Sequence, residues 1–136
     1  MGISNPTGAA FIPLAALPGD VLETYSDAVV NQANVTYTKK KEIRLARSGS
    51  YRIKFDLKAS GELHTGYGRV YRNGAAVGTE QSQANITYVN KSEDIVGWTM
   101  GDLCQLYIKG GGAVETGYAQ NFRVNSVSRM DHEVLT

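Results

Sequence analysis

From Tyr51 to Ser60 the chain alternates without a break: Tyr51, Ile53, Phe55, Leu57 and Ala59 are apolar, and Arg52, Lys54, Asp56, Lys58 and Ser60 are polar. A period of two puts the first set on one face of a β-sheet and the charges on the other, which a helix of 3.6 residues per turn could not do. The stretch therefore predicts a half-buried strand. Shorter segments of the same character recur up to Val127, separated by Gly-rich or Asn-Gly punctuation. Their number predicts an all-β fold, an antiparallel β-sandwich of about eight strands.

The 136 residues suffice for one domain, and a domain near that size buries roughly 68% of the surface its unfolded chain exposes. Only three prolines occur, Pro6, Pro13 and Pro18. They separate residues 1–19 from a domain over 20–127 and a polar tail over 128–136. The first segment carries Ile3, Phe11, Ile12, Leu14 and Leu17 with neither helical nor alternating spacing. It reads as an extended arm, with a frayed terminus as the alternative. Five large apolar side chains gain nothing in water but gain by docking on a neighbour.

Within the domain, Asp20 to Val30 offers a capping-box pattern yet reads as strand, in keeping with its all-β surroundings. A second strand is expected over Val35 to Leu45, with Tyr37 and Ile43 inward and the triplet Lys39, Lys40, Lys41 exposed as an edge-protecting device. Asn73-Gly74 predicts a two-residue hairpin, because both residues tolerate positive φ. Ile86 to Asn90, Ile95 to Trp98, Leu103 to Lys109 and Tyr118 to Val127 supply further strands, and Gly110-Gly111-Gly112 a flexible loop. Asn34-Val-Thr-Tyr37 recurs as Asn85-Ile-Thr-Tyr88, and Lys40 and Glu42 recur as Lys91 and Glu93 at the same offset. Either two similar halves or chance convergence of two strands would produce this echo.

Several chemistries lack their residues. A net charge of +1 supplies no concentrated basic face, so nucleic acid is not expected as a partner. No apolar run of membrane-spanning length and no signal-peptide pattern appears, so neither a membrane nor secretion is expected. His64 and His132 are the only histidines; the first reads as part of an exposed loop and the second falls in the tail, so no catalytic triad is expected. Glu62 with His64 is the nearest approach to a metal site, and Glu93-Asp94 would point to opposite sheet faces. Cys104 is the only cysteine and reads as buried packing. No enzyme activity, metal or cofactor is expected.

The tyrosines are the positive feature. With Ile53, Phe55, Val70, Cys104, Leu106, Ile108 and Phe122 inside, Tyr67, Tyr71 and Tyr107 are left on outer faces, where their rings suit a contact between copies of the chain.

The series Lys41-Glu-Ile-Arg44, Gly49-Ser-Tyr-Arg-Ile-Lys-Phe-Asp-Leu57, Arg69-Val-Tyr-Arg-Asn-Gly74, Val77-Gly-Thr79, Glu93-Asp-Ile95, Gly97-Trp98, Gly101-Asp-Leu-Cys-Gln-Leu-Tyr107 and Asn121-Phe-Arg-Val124 resembles a family of small tailed-phage virion structural modules. These look like the jelly roll of tumour necrosis factor and of the complement globular head. The resemblance spans about residues 20 to 127 and implies a compact homotrimer on a virion, made in the host cytoplasm. Two functions are then expected to compete. One is a capsid decoration protein whose arm docks on the major capsid protein or another virion protein. The other is a receptor- or carbohydrate-binding module of a tail fibre or tail tip, using exposed aromatics and the loops Gly61 to Gly66 and Gly110 to Gly117.

Overall fold

The computed structural model describes residues 21–126, so the arm with Ile3, Phe11, Ile12, Leu14 and Leu17, and the tail with His132, lie outside the described residues. Ten strands follow in order: β1 (Val21–Ser26), β2 (Val30–Ala33), β3 (Thr38–Arg44), β4 (Gly49–Ala59), β5 (Thr65–Arg72), β6 (Ala75–Ala76), β7 (Gln81–Ala84), β8 (Val89–Trp98), β9 (Leu103–Gly110) and β10 (Thr116–Ser126). The first sheet runs β1-β10-β4-β8 with β2 also on β10; the second runs β3-β9-β5-β6 with β7 also on β5. Because β1 and β2 share one neighbour and β6 and β7 another, the ten segments fill eight strand positions. Every pairing is antiparallel. Taking β1 with β2, and β5 with β6 and β7, every connection crosses to the opposite sheet, which is the wrapping of a jelly roll.

The alternation in β4 does what its period demands. Tyr51, Ile53, Phe55, Leu57 and Ala59 are all buried, and the residues between them are half-exposed. They meet Ala119, Phe122 and Val124 from the same sheet and Val70, Cys104, Leu106 and Ile108 from the other. All seven residues expected inside are there. The Asn73-Gly74 hairpin is also present, with φ of 52° and 86°, the left-handed pair a type I′ turn requires.

Four expectations need correction. Tyr37 precedes β3 and is half-exposed on the outer face, its hydroxyl donating to Glu80 Oε2 at 2.7 Å. Lys41 is buried, on the inward face it shares with Ile43 and opposite the core residue Leu106; the β3–β9 register slips between Lys39 and Lys41. Lys40 is the extra residue of that bulge, and the Lys41 Nζ donates to Ser26 Oγ at 3.0 Å. Burial lowers the Lys41 pKa and nearby Asp27 partly offsets it; an inward charge on an edge strand discourages pairing with other chains. Ile86 to Asn90 and Ile95 to Trp98 are not two strands: β8 runs unbroken from Val89, and Ile86 lies exposed in the turn before it. The glycines at 110–112 are close-packed instead of slack. Gly110 ends β9 with no room for a Cβ against the Glu115 carbonyl, and Gly111 N–H donates to Thr65 O at 2.8 Å.

The sequence echo extends through the fold. Asn34 and Asn85 both adopt positive φ, 67° and 70°, and each accepts its own Thr36 or Thr87 N–H on Oδ1 at 3.1 Å. Gly110 N–H donates to Asn34 O at 2.7 Å as Ala59 N–H donates to Asn85 O at 2.9 Å. Both asparagines are hinges that carry the chain between sheets, β2 to β3 and β7 to β8. Further along, Thr65-Gly66-Tyr67 repeats as Thr116-Gly117-Tyr118. Gly66 pairs with Gly110 and Gly117 with Ala59, the same register in either half. A methyl on Gly66 would overlap the Lys58 carbonyl and stand 3.0 Å from Gly117 Cα; a methyl on Gly117 would overlap the Lys109 carbonyl. The halves are thus related by an internal pseudo-two-fold, crossing at these two glycines.

Either Gly66→Ala or Gly117→Ala is expected to cost at least ~2 kcal/mol by overpacking against backbone. Urea unfolding checks this, and the pseudo-two-fold requires the two losses to be of similar size.

Candidate functional site

On the outer face of the second sheet the structure brings Tyr67, Tyr71 and Tyr107 together and adds Tyr37. Tyr71 and Tyr107 stack with centroids 3.7 Å apart and planes 12° from parallel; Tyr37 tilts against Tyr71 at 6.3 Å. Stacked pairs of this kind are worth about 1 kcal/mol beyond their area. Lys109 Nζ lies 4.7 Å from the Tyr37 ring centroid and 5.0 Å from that of Tyr67, and 3.6 Å from Glu80. Burial, then the hydrogen bond to Glu80, raises the Tyr37 hydroxyl pKa well above its usual value. All four rings keep part of their surface in solvent. Tyr37 was expected inward because the bulge at Lys40 lies between it and Ile43, so counting alternation back from Ile43 put it on the wrong face.

The outer face of the first sheet is polar. Lys58 Nζ sits 4.8 Å from the Tyr88 centroid and 5.1 Å from the Tyr118 centroid, the pseudo-two-fold image of Lys109 between Tyr37 and Tyr67. Next to it lies a depression of about 360 Å³ lined by Leu22, Lys54, Asp56, Asn90, Asn121, Arg123 and Asn125. Asp56 accepts from Asn121 Nδ2 at 2.8 Å, Asn90 Nδ2 at 3.0 Å and Gln120 Nε2 at 3.4 Å. Arg123 donates through Nε and a terminal nitrogen to Asp27 at 3.0 and 2.8 Å. Asn121 stands at a bulge, where the β10–β4 register slips between Gln120 and Arg123, with φ of 55°. Bulges re-aim side chains, and they cluster beside functional sites. No alternation rule could have found this set, since it is assembled from four strands and an irregularity.

The remaining candidates are dispersed. His64 is in the β4–β5 loop with Nδ1 at 3.0 Å from Ser60 Oγ, which in turn accepts the Thr116 N–H at 3.1 Å. Glu93 accepts the Thr79 N–H and hydroxyl, tying down the β6–β7 loop, while Asp94 pairs with Arg52 at 2.6 Å. Cys104 is fully buried, and burial pushes its thiol pKa up to about 12, far from reactive thiolate. Among the described residues no cluster of three His, Cys, Asp or Glu could hold a metal ion, and no helix is long and apolar enough to cross a membrane.

These observations define an all-β jelly-roll sandwich with two differently furnished outer faces. No protein-family model matches the chain, and no curated protein matches it. Among solved structures it is similar to the CBM22-1 xylan-binding domain from Paenibacillus barcinonensis Xyn10C, at 14% identity and a TM-score of 0.47, over 85% of this chain and 100% of that one. A likeness at that level assigns no ligand to this chain.

The Asp27–Arg123 pair fixes one wall of the depression and ties the β1–β2 break to β10. Its hydrogen bond from Arg123 holds the Asp27 carboxyl below its ordinary 3.8. A carboxyl lowered on folding adds stability above that ordinary value and loses it as pH falls through the folded one. Asp27→Asn is therefore expected to lower the melting temperature at pH 7, with the deficit shrinking as pH falls below 3.8 and closing once the lowered folded value is passed; thermal melts of both proteins across an acid pH series check it.

Proposed function

We propose that this chain is a virion structural module without catalytic chemistry, acting as a trimeric capsid decoration protein that docks on the shell through residues 1–19. The observation that carries this reading is the tyrosine cluster on β5 and β9. Because Tyr71 and Tyr107 are already stacked, a sister copy would cover a preordered aromatic surface and lose little side-chain freedom in doing so. One such patch used three times builds a closed ring that matches a three-fold or pseudo-three-fold shell site. The order of motifs along residues 20 to 127 and the apolar content of the leading segment support the same assignment.

A second reading is favoured by the polar depression: a carbohydrate-binding module of a tail fibre or tail tip. Amides, a carboxylate and cations within one concavity complement sugar hydroxyls, and tyrosine rings nearby suit stacking by a pyranose.

Light scattering at micromolar concentration should give a trimer for the native chain and a monomer for Tyr71→Arg with Tyr107→Arg; a native monomer overturns the trimer. Deleting residues 2–17 should abolish attachment to the capsid while thermal melts show a folded domain, and attachment that survives the deletion removes the arm from the account.

A further inference from the structure

We infer that a glycan site lies on the outer face of the first sheet, centred on Asp56 and Asn121, and not on the tyrosine cluster or the Gly61–Gly66 and Gly110–Gly117 loops. The inference rests on the carbohydrate reading above and gives it a place and a chemistry.

A carboxylate only accepts hydrogen bonds. The amides of Asn90, Asn121 and Gln120 must therefore all turn their NH2 groups to Asp56, and their carbonyl oxygens are held turned away from it, as acceptors. Beside them, the Lys54 ammonium has no side-chain partner among the described residues, and the guanidinium of Arg123 is clamped in place by Asp27. Fixed acceptors interspersed with donors match vicinal sugar hydroxyls, each of which both donates and accepts. A phosphate or other anion would meet Asp56 and the amide carbonyls as repulsive neighbours.

Two unfavourable features coincide at the same place. Asn125 is 6% exposed and lines the depression, yet its Oδ1 has no hydrogen-bond partner among the described residues. A buried acceptor left unmade costs free energy, so it calls for a reason. Asn121 holds a left-handed backbone conformation that residues other than glycine adopt at a cost. Structural necessity does not supply the reason, because the other half of the pseudo-two-fold manages without this set. The residues 51 positions away from Asp56, Asn121 and Asn90 are Tyr107, Val70 and Lys39. The framework elements, the asparagine hinges and the Tyr-Lys-Tyr cluster, are in contrast retained in both halves. At the end of the depression, Lys58 follows Asp56 on the same face of β4, about 7 Å further along the strand, and the rings of Tyr88 and Tyr118 beside it are placed to stack on a neighbouring sugar unit.

The test is retention on an immobilised panel of pyranose hexasaccharides, neutral and uronate-containing, followed by titration of the retained one. Asn121→Gly keeps the left-handed backbone while removing the amide, and Lys54→Ala removes a half-exposed side chain, so both are expected to fold, as circular dichroism would check. Each should weaken binding by about tenfold, the loss expected for one or two hydrogen bonds, while Tyr67→Ala on the opposite sheet should change it less than about twofold. Retention that is insensitive to Asn121→Gly and Lys54→Ala overturns the location and leaves the carbohydrate reading standing; no retention of any hexasaccharide by the native chain overturns both.

Discussion

The fold depends on a steric condition at one pole, the close packing around Gly66 and Gly117. There Gly66 of β5 has no room for a side chain against the Lys58 carbonyl of β4, and Gly117 of β10 none against the Lys109 carbonyl of β9. The inward rows of β4, β10, β5 and β9 enclose the apolar core, aromatic rings included. Close approach at one pole draws the hinges Asn34 and Asn85 together with the loops they bond to. It also aligns the outer faces, so each half presents a lysine between two tyrosines. Core density and surface arrangement thus follow from one steric condition.

The internal two-fold separates scaffold from specialisation. Where the halves agree, at the asparagine hinges, the Thr-Gly-Tyr segments and Lys58 with Lys109, the residues set register or brace the pole. Where they disagree, one face has gathered stacked tyrosines and the other a carboxylate ringed by amides. The inward positions differ too, Ile53 against Cys104 and Phe55 against Leu106, yet remain apolar, since a core tolerates exchange of shape when volume is kept. A buried thiol at Cys104 belongs to that pattern of packing.

Much of this architecture was legible in the residues. Strict alternation in β4 marked a strand with one buried face, and turn chemistry at Asn73-Gly74 located a hairpin, because both signals are local. The short polar strands β2 and β7 were invisible: Val30–Ala33 and Gln81–Ala84 are edge segments held by backbone pairing with β10 and β5, with little side-chain burial to leave a pattern. Tyr37 was assigned to the wrong face because the bulge at Lys40 reverses the side to which every preceding side chain points; Lys41, two residues from Ile43, shares its inward face, and its charge is what made it read as exposed. Tyr67, Tyr71 and Tyr107 were placed correctly because β5 and β9 are regular. The depression was out of reach, being made by residues whose neighbours are set by strand order and not by chain proximity.

Strand order also bears on how the molecule comes into being. β10, the last strand in chain order among the described residues, occupies the interior of the first sheet between β1 and β4. Until it arrives, the apolar row of β4 lacks one of its flanking strands, and β1 has no partner in its own sheet. Assembly of that sheet consequently waits for β10 and is dominated by contacts distant along the chain, which slows it. Before β10 is made, the nascent polypeptide holds the apolar row of β4 without that neighbour, and the alternating charges Arg52, Lys54, Asp56 and Lys58 interrupt the apolar run that would otherwise favour pairing with other chains.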